Sequence, residues 1–349
     1  MKAILNEVRL MVDQFVLGDE EVAKWVKRSK KIDSVTRLPG DASTRRYYRV
    51  MSGPKSFVLM RMETFAEQGK NLPFLAVQSH LAGVGIDVPS VLDSDPERGF
   101  ILLEDLGDIT LLRHLQEVST AEVERHFYER VIDSLVTMQV QASPAKGKPA
   151  QLEAFKLRFD HEKLMWEVGF TLEHFYELYL KRQLSDKNRK IIIDGFSDIC
   201  TKLAAEPTVL THRDFHSRNI MVTGDRLVMI DFQDARMGPR QYDLASLLKD
   251  SYYQLEEAQI ERLLDYYIAR WEATSGTPLE RAKFRETFDL MAVQRNFKAI
   301  GSFASFLNRR GDPTYLKFIG NTFENIRRSL LKYPQYTDLR EVLFHYYYF

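Results

Sequence analysis

One segment interrupts an otherwise helical pattern, and it constrains the fold more than any other part of the sequence. Beyond residue 107, apolar residues recur at helical spacing over five long stretches, namely residues 120–141, 160–183, 187–205, 255–273 and 280–308. Between the third and fourth stretches, at residues 209–250, two short apolar runs flank polar residues that are unsuited to a hydrophobic core. We therefore expect a large helical body that holds a small β insertion, with the chemistry in that insertion.

The region before residue 107 has a different pattern of apolar and turn residues. Helical spacing over Ile4–Phe15 and a second short helix over Asp19–Trp25 predict a helical preface. Alternating residues separated by turn residues then predict three antiparallel strands within residues 32–62. The remaining predicted elements are one helix and two strands, at residues 74–81, Val88–Pro89 and Phe100–Leu103.

The change from strand patterns to helical patterns near residue 107 predicts two lobes and an α+β fold class. Residues 1–106 are expected to form the helical preface and a small antiparallel β lobe. Residues 107–349 are expected to form a large, mainly helical lobe that contains the β insertion. A chain of 349 residues is longer than one ordinary domain, so its length agrees with this division.

Three polar residues in the insertion have the spacing that phosphoryl transfer requires. Asn219 follows Asp214 by five residues, and an apolar run then leads to Asp231. Phosphoryl transfer needs a carboxylate that orients the attacking hydroxyl and accepts its proton, together with oxygen ligands that hold Mg²⁺ against the phosphates. Asp214 fits the first role. Asn219 and Asp231 fit the second, because Mg²⁺ takes few protein ligands and keeps several waters.

Other polar residues of the insertion are assigned less specific roles. His212 is expected to brace the loop, and Asp243 is expected to accept backbone amides behind it. His216 and Arg218 face the acceptor, the nucleotide or solvent, and the sequence leaves these alternatives open. Asp234 either assists the metal or only shapes the loop.

Charge and cysteine content exclude several classes of function. Lys plus Arg and Asp plus Glu each number 49, so no global positive field favours nucleic acid or an anionic membrane. The single cysteine, Cys200, excludes an intramolecular disulfide and a cysteine-rich zinc site. The sequence contains neither a signal-peptide pattern nor 18 consecutive apolar residues. We therefore expect a cytoplasmic protein without an obligate protein partner.

The motifs resemble those of a known enzyme family. The segments HRDFHSRN at 212–219 and IDFQ at 230–233 are similar to the aminoglycoside phosphotransferase and choline kinase branch of the kinase superfamily. Gln233 stands where a protein kinase has glycine, which argues against an ordinary protein kinase. Further segments in the same order resemble bacterial anomeric kinases of N-acetylmuramate and N-acetylglucosamine, and they lie at 40–50, 102–108, 231–252 and 293–316. The resemblance spans about residues 35–320.

This resemblance implies a protein kinase-like two-lobed fold and a nucleotide site on the small lobe. The turn at 40–45, with Gly40 and Ser43, would cover the phosphates of ATP, and the backbone from Glu104 to Leu106 would face adenine. Arg61 occupies the place where kinases have a phosphate-binding lysine, and its geometry differs from that of lysine.

The resemblance also implies the reaction, which is ATP-dependent phosphorylation of the anomeric hydroxyl of N-acetylmuramate or N-acetylglucosamine in cell-wall sugar recycling. Asp214 would be the base, and Asn219 and Asp231 would bind Mg²⁺. Arg295 and Lys298, three residues apart on one predicted helix, would meet the carboxylate of N-acetylmuramate.

Glu167 lies in an aromatic helix that is a candidate wall of the acceptor pocket, although an aromatic stripe at helical spacing also suits a core. The acceptor site therefore stays open at this position.

Two alternatives remain open from the sequence. A related kinase acting on an aminoglycoside, a choline-like amine or another small alcohol predicts several carboxylates around Asp214. A nucleotide-binding scaffold without activity is suggested by Arg61 and by Gln78, which is not acidic where a glutamate is expected.

Overall fold

The computed structural model describes residues 21–26, 32–39, 45–117, 120–145 and 152–348. The predicted helix over Ile4–Phe15 and the predicted phosphate-turn residues Gly40 and Ser43 lie outside these ranges. The chain divides into two compact units. The first comprises the described residues up to Leu75 together with Pro89–Gly107, and the second comprises Ala76–Val88 and the described residues from Asp108 onward.

The first unit is built on a five-stranded antiparallel sheet in the order β1-β2-β3-β5-β4. Its strands are β1 Ser34–Arg37, β2 Arg46–Ser52, β3 Lys55–Arg61, β4 Val91–Asp95 and β5 Phe100–Glu104. The prediction of three strands followed by two is confirmed, but β4 begins at Val91 rather than at the predicted Val88–Pro89. Proline has no N–H for a strand ladder, which explains the later start.

A tight turn between β4 and β5 depends on Gly99. Its φ is +67°, and a Cβ at this position would lie 2.2 Å from the carbonyl oxygen of Met62. Only glycine avoids this contact, so the turn that brings β5 back beside β3 requires it.

Residues 21–26 form the helix α1, which contributes to the core of this unit. Val22, Trp25 and Val26 are buried against side chains of the sheet. The Trp25 ring packs edge-on against Phe100 with 5.5 Å between ring centroids, and Trp25 Nε1 donates to Asp95 Oδ2 at 2.8 Å. The part of the helical preface that the structure describes is therefore an integral part of the first unit.

Helix α2, Pro73–Gly83, begins in the first unit and ends in the second. The second unit is mainly helical, and its α-helices in the described ranges are α3 Leu111–Glu117, α4 Ala121–Gln141, α5 His161–Thr171, α6 Asp186–Ala204, α7 Gln241–Leu248, α8 Glu257–Ser275, α9 Arg281–Arg310, α10 Ile319–Leu330 and α11 Thr337–Tyr348. Helix α9 is buried over most of its length and packs against α5, α6, α7 and α10. None of the helices in the described ranges is long and apolar enough to cross a bilayer.

One predicted helix has a different form. The stretch predicted over 160–183 is α-helical only as α5, and it continues as a π-helix over Leu172–Tyr179. At this transition the Thr171 hydroxyl lies within hydrogen-bonding distance of the carbonyl oxygens of Glu167 and Phe297, at 3.1 and 3.0 Å, and can donate its one proton to either. A side-chain bond of this kind competes with the backbone pattern of an α-helix.

The predicted β insertion consists of two antiparallel pairs. Strand β6, Thr208–Thr211, pairs with β9, Arg236–Pro239, and β7, Ile220–Thr223, pairs with β8, Arg226–Met229. The loop between β6 and β7 carries Asp214, and the loop between β8 and β9 carries Asp231. The two pairs therefore place the predicted catalytic and metal-binding residues on two loops of the second unit.

Candidate active site

The loop between β6 and β7 holds Asp214 through local hydrogen bonds. Asn219 Nδ2 donates to the backbone oxygen of Asp214 at 2.9 Å, and the His216 N–H donates to the same oxygen at 3.1 Å. The Ile230 N–H donates to the backbone oxygen of Asn219 at 3.0 Å, which links this loop to the segment that carries Asp231. The five-residue spacing between Asp214 and Asn219 thus closes a compact loop beside Asp231.

Asp243 and His212 fix the base of the loop. The fully buried carboxylate of Asp243, on α7, accepts the backbone N–H groups of His212 and Arg213 at 2.6 and 3.0 Å. Burial raises the pKa of Asp243 to about 7, against the lowering effect of these two bonds. The ring nitrogen Nε2 of buried His212 donates to the carbonyl oxygen of Ile230 at 2.9 Å. Both residues brace the loop, as the sequence suggested.

Two positions of the site have left-handed backbone. Arg213 has a φ of +84°, and Asp231 has a φ of +66°. Side chains other than glycine adopt this region rarely, and such strain concentrates where a side chain must be aimed at a particular point. Arg213 Nη1 lies 3.4 Å from Asp234 Oδ2. This contact supports the alternative in which Asp234 shapes the loop.

The Asp214 carboxylate lies beside two cations from α9. Lys298 Nζ lies 3.4 Å from Asp214 Oδ1, and Arg295 Nη2 lies 3.6 Å from the same oxygen. Burial alone would raise the pKa of Asp214, but the charges of Lys298, Arg295 and Arg213 outweigh it and hold the pKa well below its usual range. The neighbouring cations therefore favour the ionised form of Asp214.

The oxygen donors near Asp214 fit the chemistry of Mg²⁺. Asp231 is exposed, and its Oδ1 accepts from Gln233 Nε2 at 2.7 Å, which leaves further lone pairs on the carboxylate. The Asn219 side-chain nitrogen donates to the Asp214 backbone oxygen, so the amide oxygen of Asn219 is the atom that can bind a cation. One carboxylate and one amide oxygen form the kind of partial shell that Mg²⁺ completes with water and phosphate oxygens.

A cavity of about 200 Å³ opens beside Asp214 in the second unit. One part of its wall is charged and the other is aromatic, and the residues that the argument uses are Asp214, His216, Arg295, Lys298, Tyr252 and Phe306. The His216 ring packs edge-on against Tyr252 at 5.1 Å, and burial together with Arg295 lowers the pKa of His216 to about 3. His216 is thus a neutral part of the cavity wall.

The structure places Arg218 and Glu167 away from the lining of this cavity. The Arg218 guanidinium lies over the rings of Tyr252 and Tyr315, at 4.9 and 5.4 Å. Glu167 is 1% exposed, and its carboxylate accepts from Gln294 Nε2 at 3.1 Å. Glu167 therefore joins α5 to α9 in the interior.

The nucleotide-site candidates of the first unit have contacts that the sequence did not suggest. Arg61, on β3, forms an ion pair with Glu21 of α1 at 3.1 Å, so the helical preface supplies an acidic partner for this cation. Glu104 is the last residue of β5, and Leu106 lies two residues beyond it. Between them, Asp105 binds the Arg49 side chain through two bonds of 2.7 and 3.1 Å. This pair fixes the backbone segment that was predicted to face adenine.

Sequence reasoning also missed Asp250, which braces the loop of Asp214 from a second side. Its buried carboxylate accepts from both the hydroxyl and the N–H of Ser217, at 2.6 and 3.0 Å. An acidic residue two positions after the apolar run of α7 was the available signal, but only the packed structure shows that it meets Ser217.

Comparison with protein families and characterised relatives supports the predicted resemblance. The model of the phosphotransferase enzyme family, APH, matches residues 34–279. A relative from Pseudomonas aeruginosa named N-acetylmuramate/N-acetylglucosamine kinase is 33% identical over 311 residues, which cover 87% of this chain and 86% of the relative. A relative of the same name from Neisseria meningitidis is 32% identical over 313 residues, with 88% and 89% coverage.

Solved structures confirm the predicted kinase-like fold. The choline kinase LicA from Streptococcus pneumoniae has a TM-score of 0.60 at 14% identity and covers 90% of this chain and 99% of its own. The ADP-bound aminoglycoside phosphotransferase APH(2'')-Ib has a TM-score of 0.58 at 15% identity, with 88% and 97% coverage. At these identities the likeness concerns the fold alone.

Proposed function

The chain belongs to the phosphotransferase enzyme family, and on that premise we propose that it is an ATP-dependent sugar kinase. Its acceptor is N-acetylmuramate, N-acetylglucosamine or both, and its product is the sugar 1-phosphate that cell-wall sugar recycling would use. The observation that carries the proposal is the identity of 32–33% to two relatives named as kinases of these sugars, over most of each chain.

In the proposed reaction, Asp214 orients the anomeric hydroxyl and receives its proton. The hydroxyl oxygen bonds to the γ-phosphorus of ATP while the bond from that phosphorus to ADP breaks. The transition state of phosphoryl transfer is loose, so positioning of the reactants contributes more than the strength of the base. Orientation of the hydroxyl is then the main contribution of Asp214.

Asn219 and Asp231 are the residues that would hold Mg²⁺. When bound, this ion neutralises charge on the phosphates of ATP. The bond from Gln233 to Asp231 and the bond from Asn219 to the Asp214 backbone fix the rotamers of both side chains, so their oxygens are held ready before a ligand arrives.

For the nucleotide we propose the first unit. Arg61, oriented by Glu21, would contact the phosphates, and the backbone from Glu104 to Leu106 would face adenine. The turn that contains Gly40 and Ser43 remains a proposed phosphate contact that rests on the family resemblance. An arginine that has an acidic partner supports an active nucleotide site and weakens the case for an inactive scaffold.

The charge around Asp214 bears on the choice of acceptor. An aminoglycoside or a choline-like amine would need carboxylates there, because a cation is repelled by other cations. Arg295 and Lys298 instead surround Asp214 with positive charge. This arrangement favours an acceptor that is neutral or acidic, as the two acetylated sugars are.

Phosphorus NMR tests the proposal directly. The purified protein is incubated with ATP, Mg²⁺ and each sugar in turn, and we expect the signal of a sugar 1-phosphate together with ADP. Asp214→Asn should abolish this signal while nucleotide binding persists. If neither sugar is phosphorylated while another alcohol is, the proposed acceptor is wrong.

Two expectations from the sequence remain predictions. Activity of the purified chain by itself would support the absence of an obligate protein partner, and dependence on an added protein would contradict it. Fractionation of cells that produce the tagged protein tests the expected cytoplasmic location.

A further inference from the structure

Two cations of one helix converge on one oxygen of the proposed base. Arg295 and Lys298 belong to α9 and lie three residues apart, so they share a face of the helix. Both approach Oδ1 of Asp214, at 3.6 and 3.4 Å. The loop and the helix are distant in sequence, and these two contacts join them at the reacting centre.

Arg295 is held firmly in this position. Its side chain is 8% exposed, its Nε donates to the hydroxyl of Ser246, and its guanidinium lies 5.9 Å from the ring centre of Tyr242. These contacts come from α7 and fix the guanidinium beside Asp214.

Lys298 has fewer restraints. Its side chain is 15% exposed and lines the cavity beside Asp214. Within the part of the chain that the structure describes, its ammonium has one hydrogen-bond acceptor, Asp214 Oδ1. An ammonium group donates three hydrogen bonds, so the remaining donors are available to oxygen atoms that enter the cavity.

The position of Lys298 relates it to the reacting atoms of the acceptor. A hydroxyl that is oriented by Asp214 must lie against this carboxylate, and the phosphorus that it attacks lies next to it. The lactyl group of N-acetylmuramate is carried on the C3 oxygen, two ring carbons from the anomeric C1. A cation that touches Asp214 therefore lies closer to the reacting hydroxyl than to the lactyl carboxylate.

We propose that Lys298 is a catalytic residue that hydrogen-bonds the transferred phosphoryl group, and that it does not recognise the carboxylate of the acceptor. The inference rests on the proposed function. During transfer the hydroxyl oxygen forms its bond to phosphorus, the bond to ADP breaks, and the hydroxyl proton passes to Asp214. Lys298 stays protonated throughout and offers its donors to the phosphoryl oxygens.

This role has a physical basis in the charge of the reaction. In phosphoryl transfer negative charge is spread over the equatorial oxygens of the moving group, and fixed donors aimed at that charge accelerate the step. Asp214 itself is an anion that would repel the incoming phosphates. Lys298 offsets that repulsion at the point where the two negative groups come together.

The two sugars provide the decisive test, because they differ only in the lactyl group. We expect Lys298→Met to lower kcat about 100- to 1,000-fold with each sugar, with little change in either acceptor KM. Lys298→Arg should retain part of the activity, since it keeps the positive charge. A variant that loses activity with N-acetylmuramate alone, through a higher KM, would assign Lys298 to carboxylate recognition and overturn the proposal.

Controls separate this result from misfolding and from a wrong acceptor. Lys190→Met removes an exposed lysine that pairs with Asp194 on α6, and it should keep wild-type rates. Thermal unfolding and titration with a fluorescent ADP analogue, which lacks the transferred phosphoryl group, should be the same for Lys298→Met and the wild type.

If the wild type phosphorylates neither sugar, the proposed acceptor fails and the same variants are compared in ATP hydrolysis by water. A comparable loss of hydrolysis in Lys298→Met still supports the role of Lys298, and unchanged hydrolysis overturns it.

Discussion

The carboxylate of Asp243 accepts the backbone N–H of His212 at 2.6 Å and thereby ties the loop of Asp214 to the buried helix α7. A side chain that has no contact with the cavity thus determines where the proposed base lies. Because the second oxygen of Asp243 takes the N–H of Arg213, the carboxylate also supports a residue with left-handed backbone.

We expect Asp243→Asn to lower kcat strongly and to destabilise the protein. The amide has one accepting oxygen, so one backbone N–H would face an NH₂ group and remain unpaired, which costs about 1–3 kcal/mol of unfolding free energy. Urea unfolding and the sugar kinase assay measure the two effects. Asp194→Asn on the surface of α6 serves as control, and an Asp243→Asn variant with wild-type stability would contradict this role.

Asp231 should determine the requirement for Mg²⁺. We expect Asp231→Asn to raise the Mg²⁺ concentration needed for half-maximal activity and to lower kcat by about 100-fold or more, because the metal loses a negatively charged ligand. Activity is measured over a Mg²⁺ titration at fixed ATP. A variant with an unchanged Mg²⁺ dependence would remove Asp231 from the metal site, and EDTA should stop the wild-type enzyme completely.

The pair of Arg49 and Asp105 should support nucleotide binding from within the first unit. The Asp105 side chain is 3% exposed and bonds Arg49 through two atoms, so Arg49→Met leaves a buried carboxylate without its cation. We expect a higher KM for ATP and a loss of about 1–3 kcal/mol in unfolding free energy.

A double-mutant cycle with Asp105→Asn isolates the coupling between the two side chains. Additive effects in that cycle would show that the pair does not act as a unit.

Close packing of α5 against α9 should make Gly301 intolerant of alanine. A Cβ at Gly301 would lie 2.4 Å from Thr171 Oγ1 and 2.7 Å from Thr171 Cα, so the helices would have to separate. We expect Gly301→Ala to cost about 1–3 kcal/mol in urea unfolding.

Gly169→Ala is the matched control in α5, where an added Cβ meets open space. Because alanine favours a helix interior, this control should stabilise the protein by about 0.5–1 kcal/mol. Equal effects of the two changes would contradict the packing argument.

Buried His174 should make the stability depend on pH. Arg309 Nη2 lies 3.0 Å from His174 Nε2 and can only donate, so this nitrogen carries no proton in the folded protein. Burial and Arg309 lower the pKa of His174, whereas the unfolded chain takes up a proton near pH 6.5. Stability from the neutral ring is therefore present above about pH 6.5 and is lost as the pH falls below it.

We expect the unfolding free energy to fall by up to about 1.4 kcal/mol per pH unit below that point through this group, because one proton is linked to unfolding. His174→Gln should reduce the slope, and exposed His345→Gln should leave it unchanged. Urea titrations between pH 5 and pH 8 measure the slopes, and identical slopes for wild type and His174→Gln would exclude this role.

Local patterns in the sequence account for most of the helices and for the loop that carries Asp214. The helices of the large lobe follow from apolar residues spaced three and four positions apart, and this spacing is a local property of the chain. The β insertion and the spacing of Asp214, Asn219 and Asp231 are likewise local. Local hydrogen bonds, such as that from Asn219 to the Asp214 backbone, follow from that spacing.

The side chains that complete the site come from distant parts of the chain, and packing alone brings them together. Lys298 reaches Asp214 across 84 residues of sequence, and Arg61 meets Glu21 across 40. Asp243 and Asp250 brace the catalytic loop only because α7 packs behind it. Such pairs depend on how helices and strands pack, and packing is set by the summed burial and shape of many side chains, which no local spacing encodes.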